Sequence, residues 1–330
     1  MPEVLACGEL LIDFMPTVSG LPLIDTPGFL RAPGGAPANV AVGLARLGVT
    51  SGFLGKVGDD PFGRFLARTL QEERVDTSQL RFEPSARTAL AFVSLTASGE
   101  RDFMFYRHPS ADMLWRPEEI DAAYFQGTRI FHFGSISLIS EPSRSATLHA
   151  IALARAAGAL VSYDPNLRLP LWPSADAARA GMRLGWQHAD IVKASEVEVA
   201  FLTDEDDLER GIDQLWAGGP AQLLVVTLGA DGCLWRTATG QGRSPGFPVP
   251  TVDTTGAGDG FVAGLLAGLL ARGLTFKDDA LPELCRFANA VGALTTTVKG
   301  AIPALPTKQT VDAFLREHPQ PRPMTNSPTR

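Results

Sequence analysis

Long apolar runs, basic blocks and paired cysteines are all missing from this chain, and each absence removes a class of protein. The longest hydrophobic stretch, residues 260–271, falls short of the roughly 20 residues that cross a bilayer. It reads instead as a core helix whose small residues permit close packing. Lys and Arg number 29 against 36 Asp and Glu, a formal charge of −7 with no cationic run. Neither nucleic acid nor an anionic membrane surface is therefore an expected partner. Only Cys7, Cys233 and Cys285 occur; odd in number, far apart and without metal-type spacing, they are expected as buried free thiols. His108, His132, His149, His188 and His318 have neither metal nor triad spacing. The first residues, Met1-Pro2-Glu3-Val4-Leu5-Ala6-Cys7, carry no basic leader, so a cytoplasmic location is expected. Missing too are a Gly-x-x-x-x-Gly-Lys-Ser/Thr loop and a Gly-x-Gly-x-x-Gly after the first strand, the common signals of ATPases and dinucleotide binders.

What is present supports a large core: 45% of the 330 residues are hydrophobic, enough for one large α/β domain with an appended element or for two domains. Residues 4–7 read as a buried strand and 36–47 as a helix ended by Gly48. The rhythm repeats with a strand at 51–55 and a helix at 62–73, then a strand at 130–133 and a helix at 142–157, with further strands at 159–163, 191–192 and 223–227. Such alternation implies a parallel sheet covered on both faces. Residues 11–31 and 88–107 break it and look like antiparallel hairpin material turning around Ser98-Gly99. We expect a small β element, from about 11–33 and 86–108, inserted in a domain spanning 1–317 and able to act as a lid or a dimer surface. The Pro-rich, polar residues 318–330 are expected to be disordered.

The chemistry-bearing stretch is Asp253-Thr254-Thr255-Gly256-Ala257-Gly258-Asp259, at the start of an apolar run. Gly256, Ala257 and Gly258 let backbone N–H groups converge on an anion at a helix N-terminus. Asp259 in the first turn is placed to deprotonate an attacking alcohol. A Gly-rich loop capped by an ordinary helix-start Asp fits the same residues. Pro33-Gly34-Gly35-Ala36-Pro37-Ala38-Asn39 either lets a ligand approach Gly34 and Gly35 while Asn39 bonds its hydroxyls, or is simply a tight turn. Asp13, beyond the first strand, either accepts two ligand hydroxyls or is a solvated loop acid. Arg168 in Asp164-Pro165-Asn166-Leu167-Arg168 is a candidate phosphate clamp or a surface residue. Ser195 and Glu198 form a capping box, which leaves Glu196 for a water of a magnesium ion. The turn at Thr227, Gly229 and Gly232 suits a nucleotide but is also a hairpin signal. Asn289, between two alanines in a small-residue helix, fits an adenine slot or plain packing.

Both blocks together, Gly34-Gly35-Ala36-Pro37-Ala38-Asn39 through Gly58-Asp59-Asp60-Pro61-Phe62-Gly63 and Asp253 through Asp259, resemble the signatures of the PfkB (ribokinase-like) carbohydrate kinases. The resemblance covers nearly all of the chain outside the tail. Residues 8–16, 87–93, 103–107, 133–138 and 163–168 are similar to the fructokinase branch. It implies a doubly wound, mostly parallel α/β core with a small β-sheet lid. It implies ATP-dependent phosphorylation of D-fructose on its 6-hydroxyl, a phosphotransfer to an alcohol. Asp259 would be the base, Gly256 to Gly258 the anion hole with Arg168 on the migrating phosphoryl, and Asp13, Gly34, Gly35 and Asn39 the sugar ligands. Thr227, Gly229, Gly232, Gly258 and Asn289 would hold ATP. Lys193, standing where many members carry Asn, joins them, with Glu196 on Mg2+. Asp253, Thr255, Thr295, Val298 and Gly300 resemble a K+ site built mostly of backbone oxygens. The rivals are a 2-keto-3-deoxygluconate kinase, with Arg107 pairing a substrate carboxylate, another sugar kinase of the family, or a silent sugar-binding regulator. A homodimer through the β lid is the expected assembly.

Overall fold

The computed structural model of the protein describes residues 1–18, 20–95 and 101–319. Nine strands make one mixed sheet: β1 (Val4–Cys7), β4 (Ser51–Gly58), β5 (Leu80–Glu83), β8 (Ile130–Gly134), β9 (Leu160–Asp164), β10 (Ile191–Ser195), β11 (Leu223–Thr227), β12 (Cys233–Arg236) and β13 (Gln241–Ser244). A second sheet holds β2 (Leu11–Pro16), β3 (Phe29–Gly34), β6 (Leu90–Leu95) and β7 (Arg101–Tyr106). The large sheet runs β13-β12-β11-β10-β9-β8-β1-β4-β5. It is parallel from β5 to β11, and only the β11-β12-β13 edge is antiparallel.

The central strands have no polar face because helices cover both sides. Leu5 and Cys7 of β1 join Phe131, Phe133 and Tyr163 in one core, while Val4 joins Ile191, Leu223 and Phe261 in another, the two-residue period of a strand buried on both faces. Nine α-helices lie among the described residues: α1 (Ala36–Arg46), α2 (Pro61–Glu72), α3 (Ser143–Ala156), α4 (Ala175–Trp186), α5 (Glu196–Thr203), α6 (Leu208–Ala217), α7 (Ala257–Ala271), α8 (Leu281–Thr295) and α9 (Lys308–Glu317). From Gly260 to Leu270, α7 is buried all round, as a helix apolar on every face must be. Its small residues let α8 close in: a Cβ at Gly264 would lie 2.9 Å from Val291. The three cysteines are buried and unpaired, and no described helix is long and apolar enough to cross a membrane.

Both hairpins of the small sheet, β2-β3 and β6-β7, are antiparallel. They join through the parallel pair β2-β6, with Asp13 opposite Ala91. Phe14 stacks on Phe92 at 4.7 Å and meets Phe62 of α2 edge-on at 5.9 Å, tying this sheet to the core. The expected turn at Ser98-Gly99 lies outside the described residues, as do residues 320–330 of the expected disordered tail. His318, assigned to that tail in the sequence reading, instead packs its ring 4.2 Å from that of Phe314.

Candidate active site

The N-terminus of α7 is built around a glycine that no other residue replaces. Gly256, its N-cap, has φ +78°, and a Cβ there would lie 2.7 Å from that of Ala301. Asp253 stitches the preceding loop: Oδ1 accepts from the Thr255 amide at 2.9 Å and hydroxyl at 2.7 Å, and Oδ2 from the Gly300 amide at 2.9 Å. Asp253 thus gathers Thr255 and Gly300 of the five cation-site candidates; the Thr295 hydroxyl donates to the Val291 carbonyl at 2.8 Å and the Val298 side chain is exposed, and neither placement bears on a site built of backbone oxygens.

Asp259 stands in the first turn of α7 beside a polar cavity of about 170 Å3. Burial pushes its carboxyl up to about 6, and Asp164 adds repulsion, while the Asn39 hydrogen bond, Lys193 and Arg168 pull it down. Asn39 Nδ2 donates to Asp259 Oδ2 at 2.7 Å. A carboxylate only accepts, which fixes the amide's orientation and leaves Asn39 Oδ1 buried without a partner among the described residues. Asn39 thus orients Asp259 as well as facing the cavity.

Three cations line this cavity: Arg107, Arg168 and Lys193. Lys193 Nζ donates to Asp164 Oδ2 at 3.0 Å and would sit 3.2 Å from a Cβ at Gly258. Burial disfavours its ammonium, yet Asp164, Glu198 and Asp259 hold its pKa above the ordinary value. Arg107 is buried, with Nε at 2.8 Å and Nη2 at 2.6 Å from Asp112 Oδ2. Arg168 donates to the Leu167 carbonyl at 3.0 Å.

Asp13 lies within β2 of the small sheet, not beyond the first strand as its sequence position suggests. The chain enters the second sheet after only Gly8, Glu9 and Leu10, so the first carboxylate after β1 is Glu9. A side chain at Gly34 would run into the Asp13 carboxylate, and one at Gly35 into the Glu9 backbone; both glycines permit this close packing, and of the two only Gly35 lines the cavity. Glu9 Oε1 accepts from the Ala36 amide at 2.9 Å, capping α1. Burial pushes its carboxyl up to about 7 against the pull of its own backbone amide and Arg107.

A second cavity of about 320 Å3 holds Thr227, Gly229, Gly232 and Asn289, and shares Thr254 and Gly258 with the first. Asn289 turns its amide onto the carbonyls of Ser244 at 3.2 Å and Pro245 at 3.1 Å. Glu196 is exposed on the first turn of α5 and lines neither cavity. Ser195 and Glu198 form the expected capping box. In the first signature block, Asp60 is structural: it accepts from the Gly63 amide at 2.9 Å, the Thr88 amide at 2.8 Å and the Thr88 hydroxyl at 2.9 Å. Sequence reasoning gave no role to Asp164, Glu9 or Asp112. For Asp164 the signal was available, since it ends β9 beside Lys193 of β10.

A carboxylate at a half-buried helix N-terminus, lining a small polar cavity that shares Thr254 and Gly258 with a larger, mostly apolar one, is the arrangement of a phosphotransferase acting on a small polar acceptor. The chain belongs to the pfkB family of carbohydrate kinases, whose model matches residues 1–308. Fructokinase-2 of Solanum lycopersicum is 53% identical over 306 residues, covering 92% of this chain and 93% of that one. A fructokinase from Xylella fastidiosa with bound ATP superposes with a TM-score of 0.87 at 39% identity, over 96% of this chain and 99% of that one. A fructokinase double mutant from Vibrio cholerae O395, in its fructose, ADP and potassium ion bound form, gives 0.86 at 40% identity, over 96% and 98%.

Proposed function

We propose that the protein is a fructokinase that moves the γ-phosphoryl group of ATP to the 6-hydroxyl of D-fructose. The observation that carries this reading is Asp259, oriented by Asn39 where the two cavities share Thr254 and Gly258. Asp259 takes the hydroxyl proton; the freed oxygen attacks the γ-phosphorus; the bond to the β–γ bridging oxygen breaks and ADP leaves. The amides of Gly256 and Gly258, with Lys193 and Arg168, hold the charge that spreads over the migrating group; the Ala257 amide, 3.3 Å from the Thr254 carbonyl, joins them only by leaving that bond. Asp13, Gly34, Gly35 and Asn39 position the sugar. Thr227, Gly229, Gly232 and the floor fixed by Asn289 receive the nucleotide.

Magnesium supplies charge neutralisation on the phosphates when bound, and the exposed Glu196 suits a ligand acting through water. The oxygen-rich loops gathered by Asp253 suit potassium, a cation that would add positive charge behind the turn. Residues 1–317 act as one domain in the cytoplasm, with the small sheet as a lid that excludes water. Leu30 and Tyr106, 61% and 57% exposed on that sheet, suit burial in a homodimer. Arg107, already engaged by Asp112, favours a neutral sugar over a sugar acid.

ADP release with magnesium and ATP, over fructose, ribose, glucose, 2-keto-3-deoxygluconate and adenosine, tests the reading. Clear preference for fructose is the expected result; preference for another acceptor, or silence across the panel, overturns it. Repeating the assay without potassium at constant ionic strength tests the cation, and sedimentation tests the dimer.

A further inference from the structure

Arg107 reaches the wall of the polar cavity from the end of β7, beside Glu9 and Asp13. Its partner Asp112 stands behind it, 7% exposed and not part of the wall. Two donors of the guanidinium converge on one oxygen, Oδ2, at 2.8 and 2.6 Å. The Ser110 hydroxyl donates to the other oxygen, Oδ1. The segment around Asp112 is itself pinned, since the Ala111 amide donates to the Arg87 carbonyl at 2.8 Å and the Met113 amide to the Ser110 carbonyl at 3.1 Å. The pair is a fixed part of the scaffold, with little freedom to open when a ligand arrives.

We propose that Asp112 determines which class of sugar the site accepts: by cancelling the charge of Arg107 it confines the cavity to uncharged sugars and shuts out sugar acids. This inference rests on the reading of the site as a sugar kinase. A substrate carboxylate at this end would meet Glu9 and Asp13 across a guanidinium that is already neutralised. Like charges brought together without water repel strongly, whereas the hydroxyls of a neutral sugar donate to both acids. Glu9 senses both members of the pair, Arg107 drawing its pKa down and Asp112 raising it, which places the pair within electrostatic reach of whatever occupies the cavity. Without the Asp112 charge the same guanidinium would lose its hydrogen-bonded counter-charge and face the cavity with only Glu9, whose carboxyl is pushed up to about 7 by burial, and Asp13 beside it; its fork of donors would then be open to a substrate carboxylate. Asp112 touches no substrate; it acts through Arg107.

The variant Asp112→Asn keeps the side chain's size and an oxygen for Arg107 while removing the charge. Full-length wild type and variant are compared for kcat/KM on D-fructose and on 2-keto-3-deoxygluconate, with the KM for ATP and the melting temperature as checks on the fold. The expected result is a shift of the fructose to sugar-acid ratio by at least about tenfold toward the acid, and tighter binding of D-gluconate by calorimetry. Adding Arg107→Gln to the variant reverses both gains. An unchanged ratio with normal ATP KM and melting temperature overturns the proposal. Wild type inactive on fructose overturns the functional reading instead, and gluconate affinity then decides the role of Asp112: tighter binding to the variant supports it, and equal binding overturns it. If Asp112→Asn does not fold, Asp112→Ser is read by the same criteria.

Discussion

The two cavities that meet at Gly258 are built on opposite principles. The smaller, about 170 Å3, is walled by side chains held in ionic and hydrogen-bonded pairs: Lys193 with Asp164, Arg107 with Asp112, Asn39 with Asp259. The larger, about 320 Å3, is walled by Gly229, Gly232, Pro248, Val249 and Phe261, and its buried amide, Asn289, is spent on backbone carbonyls. One side reads its ligand by charge and hydrogen bonds, where a single group changes the outcome; the other reads shape, where the cost of an altered contact is smaller.

The sharpest way to break this contrast is Asp259→Ala. Turnover should fall on the order of 10^3-fold or more, with the KM for fructose little changed; a variant within tenfold of wild type would remove the base from the mechanism. Next in size is Lys193→Met, which leaves Asp164 buried without its cation and should cost about 3 to 5 kcal/mol of stability along with phosphoryl transfer. Thermal unfolding of Lys193→Met and of the double variant with Asp164→Asn separates the two effects, because the double variant should recover stability without recovering turnover.

Proton linkage gives a third test. Because the Asp259 carboxyl is raised from 3.8 to about 6 in the folded, ligand-free protein, kcat/KM should drop tenfold per unit as pH falls below about 6. The folded state binds this proton more readily than the unfolded chain, so ionisation costs stability as pH rises from about 4 through 6. Asp259→Asn should therefore be more stable than wild type at pH 7.5, by up to about 3 kcal/mol, and lose that advantage below pH 4. Denaturation at the two pH values checks the sign; an advantage that grows in acid contradicts the assigned shift. The smallest effect belongs to the shape-reading side, where Asn289→Ala should raise the KM for ATP a few-fold and leave kcat nearly intact. A large loss of kcat would mean that the amide acts on the reacting groups.

The alternation of strands and helices was legible because buried parallel strands and small-residue helices carry strong local patterns, as at Val4–Cys7 and Ala257–Ala271. The antiparallel edge was legible only in part: the hairpin signal at residues 227–232 joins Leu223–Thr227 to Cys233–Arg236, whereas Gln241–Ser244, which pairs with Cys233–Arg236, has no apolar pattern. Asn39 and Asp259 were each visible as polar residues in Gly-rich turns. Their contact joins positions 220 apart, a closure that no spacing rule anticipates. Asp112 was invisible for a related reason. A carboxylate five residues from an arginine looks like a solvated pair, and only the packing that buries both turns it into a fixed neutral unit.

The hairpin β2-β3 is fastened at both ends of its base. Three residues, Gly8 to Leu10, link β1 to β2, and the single residue Gly35 links β3 to α1. A ribbon clamped in this way swings like a door on a short hinge: displacement is least at the jamb and grows toward the tip. On such a ribbon Asp13 and Gly34 stand close to the jamb, where any displacement is smallest, and Phe29 and Leu30 stand farther out, where it is largest. The proposed lid would therefore disturb the proposed sugar contacts least.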